Sequence, residues 1–395
     1  MGICLNMIVK NEALRLPRLF ASLRGYIDFF VISDTGSTDG TLTTITSLSE
    51  QYAIPGIVTS HPWKDFAHNR NLALQDVFLS RREGRHTCNR VMILDADEEL
   101  FVADPGWKPA MKNGVTYLAY ARSGRTSVAR VFLPWLEGQT WHWVGQIHNV
   151  LENEDIHHPF EFSKSLYIRS HEFQGAKSHP FANGAEKASA DATTLESELE
   201  GKTVDKWTAH RFLQLGLAYE NAADWPSAIA CLTKVGDCDE AGTGKRYVSW
   251  IMATRCAMQA GVDPTVIGGF IAKATRLDPA RWEADYYNAL LHRRQGNLMQ
   301  ALCILDNVSE RAYHDTGTFF LEHDIYEWKL DYDRAFLAAQ LKEDSRALKI
   351  VGALLENDRI PDMESRFLSS LNERLLRNLE GQARNPGDQQ TDYSS

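Results

Sequence analysis

The chain has 395 residues, long enough for two domains, each with its own core. Hydrophobic residues make up 44% and charged residues 24%, an ordinary globular balance, and no apolar run approaches the roughly 20 residues needed to span a bilayer. The net charge of −10 counts against sequence-independent binding of a phosphate backbone and makes nucleic acid the less favoured partner.

In the first half, apolar runs alternate with helical spacing, the pattern of an α/β sheet. Ile3 to Val9 is expected as the first strand. It begins so early that no signal peptide fits before it, and a cytoplasmic location is expected. Leu14, Leu16, Leu19 and Leu23 give Asn11 to Leu23 helical spacing. Phe29 to Ser33 is a second strand, ending in Asp34-Thr35-Gly36-Ser37-Thr38-Asp39-Gly40 before Leu42, Ile45 and Leu48 resume a helix. Gly56 to Thr59 is expected as a third strand and Val91 to Leu94 as a fourth, with a helix carrying Leu72, Leu74, Val77 and Leu79 between them. Val115 to Ile168, rich in aromatic and β-branched residues, reads as mixed β structure with turns at Ser123-Gly124 and Glu137-Gly138.

From about residue 180 the texture is helical. Phe212, Leu215, Gly216, Tyr219, Trp225, Ala228 and Leu232 fit a two-helix unit, and Tyr286, Ala289, Gly296, Ala301 and Leu305 fit another. Ala228 and Ala301 are roughly two 34-residue repeats apart, and Trp250 to Leu277 with the break at Asp278-Pro279 supplies an irregular unit between them. Divergent tetratricopeptide-like repeats are favoured over a non-repetitive bundle. The expected division is 1–178 for the α/β domain, 179–205 for a linker helix, 206–380 for the helical domain and 381–395 for a disordered tail. The six cysteines form no Cys-x-x-Cys pair and read as reduced thiols.

The chemistry lies in the first half. Val91-Met92-Ile93-Leu94 runs straight into Asp95-Ala96-Asp97-Glu98-Glu99. A strand apolar on both faces belongs inside a mostly parallel sheet, where ligands bind at the strand ends. In extended backbone Asp95 and Asp97 would point the same way and suit a hard divalent cation, although a solvated acidic turn would satisfy the same tripeptide. In the Asp34–Gly40 segment Gly36 permits a tight turn, the hydroxyls can cap the following helix, and Asp34 is left to face the crevice. No Gly-Lys-Ser/Thr or GxGxxG follows, so a phosphate loop is excluded. Trp63 to Asn71 gathers Lys, Asp, His, Arg and Asn, and Arg70 could pair with a diphosphate or make ordinary surface ion pairs.

Asn6-Met7-Ile8-Val9-Lys10-Asn11-Glu12, Ser33 to Asp39, Asp65-Phe66 through Arg70-Asn71, and Leu94-Asp95-Ala96-Asp97-Glu98 occur in the order and spacing of family-2-type glycosyltransferases of GT-A fold. More narrowly, the chain resembles the bacterial and viral branch in which a tetratricopeptide-type helical region follows the catalytic domain. Arg130-Val131-Phe132, Trp143 to His148 and Ile325-Tyr326-Glu327-Trp328 carry the same likeness. The resemblance implies an α/β GT-A domain followed by an all-α tetratricopeptide-like domain, a nucleotide-sugar donor usually carrying UDP, and Mn²⁺ or Mg²⁺. On that basis Asn11, Glu12, Asp34, Asp39, Arg70 and Asp95 would line the donor site. Asp34 and Asp39 would contact the nucleoside, Arg70 the base or diphosphate, and Asp95 the ribose or metal. Asp97 would bind the metal, with His171 as a further ligand.

One departure concerns the general base. The branch commonly shows His-Glu where this chain has His148-Asn149. His148, with an ordinary pKa near 6.5, or Glu152, one helical or loop turn away, is expected to deprotonate the acceptor hydroxyl in an inverting displacement, with a retaining course left open. Trp135, Trp141 and Trp143 precede it and suit either a sugar platform or core packing. The acceptor is open, a polypeptide among the candidates, and the helical domain could present it or form a homodimer. The competing readings are a catalytically inactive repeat scaffold and a sugar-phosphate nucleotidyltransferase.

Overall fold

Seven residues, β1 (Ile3–Val9), form the strand around which the first unit is built. Its odd positions, Ile3, Leu5, Met7 and Val9, join one core with Leu16, Leu19, Phe20, Phe30, Ile32, Ile45 and Met92. Cys4 on the opposite face joins a second core with Phe29, Val31, Leu74, Val77, Val91 and Ile93. Both faces are covered, which is why these strands read as unbroken apolar runs. The one polar side chain in the strand, Asn6, is buried and donates from Nδ2 to the carbonyls of Val31 (3.3 Å) and Ala73 (3.0 Å).

The computed structural model describes residues 2–112, 115–123, 126–134, 141–153, 160–171, 183–311, 321–357 and 360–384. The chain divides into two compact units. One runs through Lys202, and the other takes the described residues from Thr203 on, Leu321 excepted. After β1 the first unit continues with α1 (Leu16–Leu23), β2 (Phe29–Asp34), α2 (Thr41–Tyr52), β3 (Gly56–Ser60), α3 (Phe66–Arg82), β4 (Arg90–Ile93), β5 (Glu98–Val102) and α4 (Trp107–Ala110). Then come β6 (Thr116–Ser123), β7 (Thr126–Pro134), β8 (Trp141–Val144), β9 (Val150–Asn153), β10 (Phe160–Ser170) and α5 (Gly184–Leu199). Helix α5 falls in the stretch expected as a linker helix.

One sheet has the order β3-β2-β1-β4-β7-β6-β10-β5, and β8 pairs with β9 in a separate antiparallel hairpin. The first four strands are parallel. The second half is mixed, since β7 is antiparallel to β4 and to β6, β10 is parallel to β6, and β5 is antiparallel to β10. Strands leave β1 in both directions, so the order reverses between β1 and β4, the place where open α/β sheets hold ligands.

Three local expectations change. The helix expected from Asn11 starts at Leu16, because Asn11 takes φ 58° and the residues after it bond to the neighbouring loop; Leu14 is 81% exposed. Pro17 sits in the first turn of α1, where its missing N–H costs nothing. Asp95 to Asp97 are not extended, since Glu98 N–H donates to the Asp95 carbonyl (3.1 Å) and the pair sits on a tight turn between β4 and β5. Strand β5, absent from the sequence reading, begins at Glu98.

The described residues of the second unit form helices and no strand. It comprises α6 (Ala209–Asn221), α7 (Trp225–Asp237), α8 (Thr243–Ala260), α9 (Pro264–Leu277), α10 (Glu283–Arg294), α11 (Leu298–Ser309), α12 (Leu330–Gln340), α13 (Asp344–Leu355) and α14 (Asp362–Arg384). Each helix packs on the next in sequence. Gly216 on α6 lies against the buried Leu232 of α7, and Ala301 and Leu305 of α11 are fully buried, so the small and large residues sit where helices meet. Successive pairs do not start at equal intervals: Ala209, Thr243 and Glu283 open α6, α8 and α10. Residues 381–384, expected as tail, are the last turn of α14, and 385–395 lie outside the described residues. All six cysteines are free. No helix among the described residues is long and apolar enough to cross a membrane.

Gly56 opens β3 directly against the ring of Phe30, which a Cβ would penetrate. Gly56→Ala is expected to destabilise the protein by about 1–3 kcal/mol in urea unfolding, through overpacking rather than backbone strain.

Candidate active site

The carboxyl ends of β1 and β2 carry two loops fastened to each other. Asn11 N–H donates to Ser37 Oγ (3.0 Å), and its side-chain oxygen accepts Thr38 N–H (2.7 Å). Glu12 N–H donates to Thr41 Oγ1 (2.8 Å) and Ala13 N–H to Asp39 Oδ2 (3.3 Å). Thr35 returns both its N–H and its hydroxyl to the Val9 carbonyl (2.9 and 3.0 Å). Burial pushes the Asp39 carboxyl up, but the hydroxyl and N–H of Thr41 and the N–H of Ala13 outweigh it and hold the group below the usual range.

Two expectations for this segment are corrected. The N-cap of α2 is Gly40, and the first N–H of the helix, that of Thr41, goes to Asp39 Oδ1 (3.0 Å) rather than to a Ser or Thr hydroxyl, because the Ser37 and Thr38 hydroxyls are turned toward Asn11. Asp34 does not face an open crevice. It is 5% exposed and accepts the N–H groups of Gly36 (3.1 Å) and Ser37 (3.2 Å), closing a turn that needs Gly36 at φ 103°.

On the other side of β1, the β4–β5 turn presents Asp95 and Asp97. Arg70, at the start of the second turn of α3, bonds Asp95 from Nη2 to Oδ1 at 2.6 Å. The turn is pinned from below by Glu98, which is fully buried and accepts Asp95 N–H (2.8 Å). Glu12 faces the same place. Burial raises its carboxyl, Arg15 at 2.5 Å pulls it back, and the negative charges of Asp97 and Asp95 push it up again. Glu12, Asp95 and Asp97 therefore share one electrostatic field at the β1–β4 reversal. His171, just beyond β10, is brought to the same turn: its N–H donates to the Asp97 carbonyl (3.0 Å) and its ring meets Glu99 (2.8 Å).

The hairpin of β8 and β9 completes this end of the unit. Asn71 clamps it to α3 like a paired strand, accepting Trp143 N–H (2.7 Å) and donating to the Trp143 carbonyl (2.9 Å). The Arg70 guanidinium lies over the Trp143 ring, 4.9 Å from its centre. Arg70 Nε and Trp143 Nε1 are buried with no hydrogen-bond partner among the described residues. Trp141 and Trp143 are partly buried against the α3-side core, and Trp135 lies outside the described residues.

His148 occupies the turn between the two strands with φ 44°, in the left-handed region. Its Nε2 lies 3.2 Å from Asp191 Oδ2 on α5. Glu152 is not a helical or loop turn away but on β9, opposite His142, whose Nε2 is 4.0 Å from its Oε2. The sequence reading gave no role to Asn71, Glu98, Glu99 or Asp191. Asn71 lay inside a quoted motif, whereas Asp191 is 43 residues from its partner and had no local signal.

No protein-family model matches the chain, and no curated protein does. Among solved structures, the chain is similar to S. aureus TarS 1–349 in complex with UDP-GlcNAc, at TM-score 0.31 and 12% identity over 75% of this chain and 92% of that one. It is also similar to YrrB, a TPR protein with an unusual peptide-binding site, at TM-score 0.33 and 15% identity over 47% of this chain and 84% of that one. A third is glucosyl-3-phosphoglycerate synthase from Mycobacterium tuberculosis with Mn²⁺, UDP and phosphoglyceric acid, at TM-score 0.21 and 18% identity over 31% of this chain and 44% of that one.

Two predictions follow from the geometry. Asn71→Ala strands both backbone groups of Trp143 and should cost about 1–3 kcal/mol in urea unfolding, with faster amide exchange in β8. Glu12, whose carboxyl is raised in the folded state, favours folding most below its ordinary value of 4.5 and loses that contribution as pH rises through its folded pKa. Glu12→Gln should accordingly gain in Tm relative to the parent chain between pH 4 and pH 7, measured by scanning fluorimetry.

Proposed function

We propose that the first unit is a metal-dependent glycosyltransferase domain that moves a sugar from a UDP-sugar to an acceptor hydroxyl with inversion at the anomeric carbon. The observation that carries this reading is the β4–β5 turn, which sets Asp95 and Asp97 at the ends of the parallel strands with Arg70 bonded to Asp95. The ordered motif set of the sequence points the same way.

The donor set suits a hard cation in kind: two carboxylates, Asp95 and Asp97, on one tight turn. Among the described residues no three His, Cys, Asp or Glu side chains are placed together so as to hold a metal ion. A two-carboxylate hold by Asp95 and Asp97 is what Mg²⁺ or Mn²⁺ needs when phosphate oxygens and water fill the other positions, with His171 as the further candidate ligand. Such an ion, when bound, neutralises charge on the departing diphosphate.

The chain's own residues have separate tasks in this reading. The fastened loops bearing Asn11, Asp34 and Asp39 shape the nucleoside side of the cleft. Arg70, stacked on Trp143, offers a planar guanidinium to phosphate oxygens. His148 or Glu152 takes the acceptor proton. The helical unit recognises the acceptor, a polypeptide in the version favoured here, since stacked helix pairs offer extended surfaces.

A thermal-shift panel of nucleoside diphosphates with MnCl₂ or EDTA tests the donor. UDP at about 100 times its Kd should raise Tm by roughly 5–10 °C with Mn²⁺, and Asp97→Ala should abolish the metal-dependent part. An equal shift in EDTA would remove the metal from the reading. Silence toward every nucleoside diphosphate would overturn the donor class and favour a scaffold.

A further inference from the structure

We infer that Asp191 on α5 is a positioning residue that sets the tautomer, orientation and charge of His148, making a His–Asp pair rather than an isolated histidine the proton acceptor of the site. This deepens the glycosyltransferase reading and rests on it. Three features of the structure carry it. The His148 Nε2 to Asp191 Oδ2 separation is 3.2 Å, within hydrogen-bond reach, with side chains 34% and 16% exposed. Such a bond assigns the proton to Nε2 and leaves Nδ1 as the basic nitrogen.

The backbone is the second feature. His148 is held at φ 44°, and Gly145 before it takes φ 98°, so this turn projects the imidazole from a conformation that a histidine adopts at a cost. Strain of this kind persists where surrounding contacts enforce it. Here they do: Gln146 N–H donates to Glu198 of α5 (2.8 Å), and the Gln146 carbonyl accepts Phe66 N–H of α3 (3.2 Å). The turn is thus gripped from both sides two residues before His148.

The third feature is the setting of Asp191 itself. Lys187, one helical turn earlier, reaches the same Oδ2 at 3.2 Å, which fixes the carboxylate in direction. The charged groups that the neighbouring elements bring to this turn are Asp191, Lys187 and Glu198 on α5, His142 and Glu152 on the hairpin, and Asp65 at the start of α3. Of these, Asp191 has its oxygen within hydrogen-bond distance of the ring. In the transfer step, the acceptor O–H proton passes to Nδ1 as that oxygen bonds the anomeric carbon. The bond from that carbon to the diphosphate oxygen breaks with its electron pair leaving on UDP, and Asp191 stabilises the imidazolium that results.

The test follows the His148 ring by NMR of ¹³C-histidine-labelled protein, assigned with His148→Gln, in the parent chain, Asp191→Asn and Asp191→Glu. UDP release from UDP-glucose and UDP-N-acetylglucosamine in MnCl₂ is measured against pH on the same samples, with Tm as a check on folding. In Asp191→Asn the His148 midpoint should fall by about one pH unit, because a carboxylate that favours the imidazolium is gone. The acid limb of UDP release should move down with it, with kcat reduced on the order of tenfold and KM unchanged. Asp191→Glu should restore the midpoint in part. An unmoved midpoint in folded Asp191→Asn overturns the coupling, whatever the donor. A midpoint that falls while the acid limb stays overturns the pair as proton acceptor and leaves the donor assignment standing.

Discussion

Residues 11 to 13 leave β1 with three backbone N–H groups that neither a strand nor a helix receives, and their destination governs the open end of the sheet. All three go to side chains of one neighbouring segment: Ser37, Thr41 and Asp39. Two loops that would otherwise move separately become one body. Glu12 lies in the middle of that body, so its carboxylate is kept beside Asp95 and Asp97 in spite of their repulsion.

The opposite wall depends on side-chain amides. Asn6 ties β1 to β2 and α3, and Asn71 ties α3 to the Trp143 backbone. Asn69 is fully buried, accepts Lys64 N–H (2.9 Å) and donates to the carbonyls of His61 and Pro62. An asparagine carries the same donor and acceptor as a peptide group, so it can stand in for a strand neighbour where none exists. Arg70 lies between two of them in sequence, and its alignment on Trp143 and Asp95 follows from their placement.

Much of the sheet was legible because the inner parallel strands β1, β2 and β4 are buried on both faces. Ile3 to Val9 and Phe29 to Ser33 could hardly be anything but inner strands, and the observed bounds agree within a residue. What escaped were features decided by distant partners. Leu14 fits a helical face by spacing, yet it sits in a loop whose N–H groups were already committed to the next turn. Asp95 and Asp97 looked aligned on a strand, but buried Glu98 captures the Asp95 N–H and bends the chain. Asp34 looked like a ligand-facing acid and serves its own turn. Periodicity reports burial, and it carries no information on where a carboxylate finds its hydrogen bonds.

In the helical unit every helix rests on its immediate successor. Contacts of this kind link residues close together along the chain, so little loop entropy is spent before packing energy is recovered, and assembly should be fast and able to start at several points. The same arrangement makes lengthening cheap in evolutionary terms: a helix pair can be gained or lost with only its two neighbours obliged to adapt. The uneven steps between Ala209, Thr243 and Glu283 are what such piecemeal growth would leave behind.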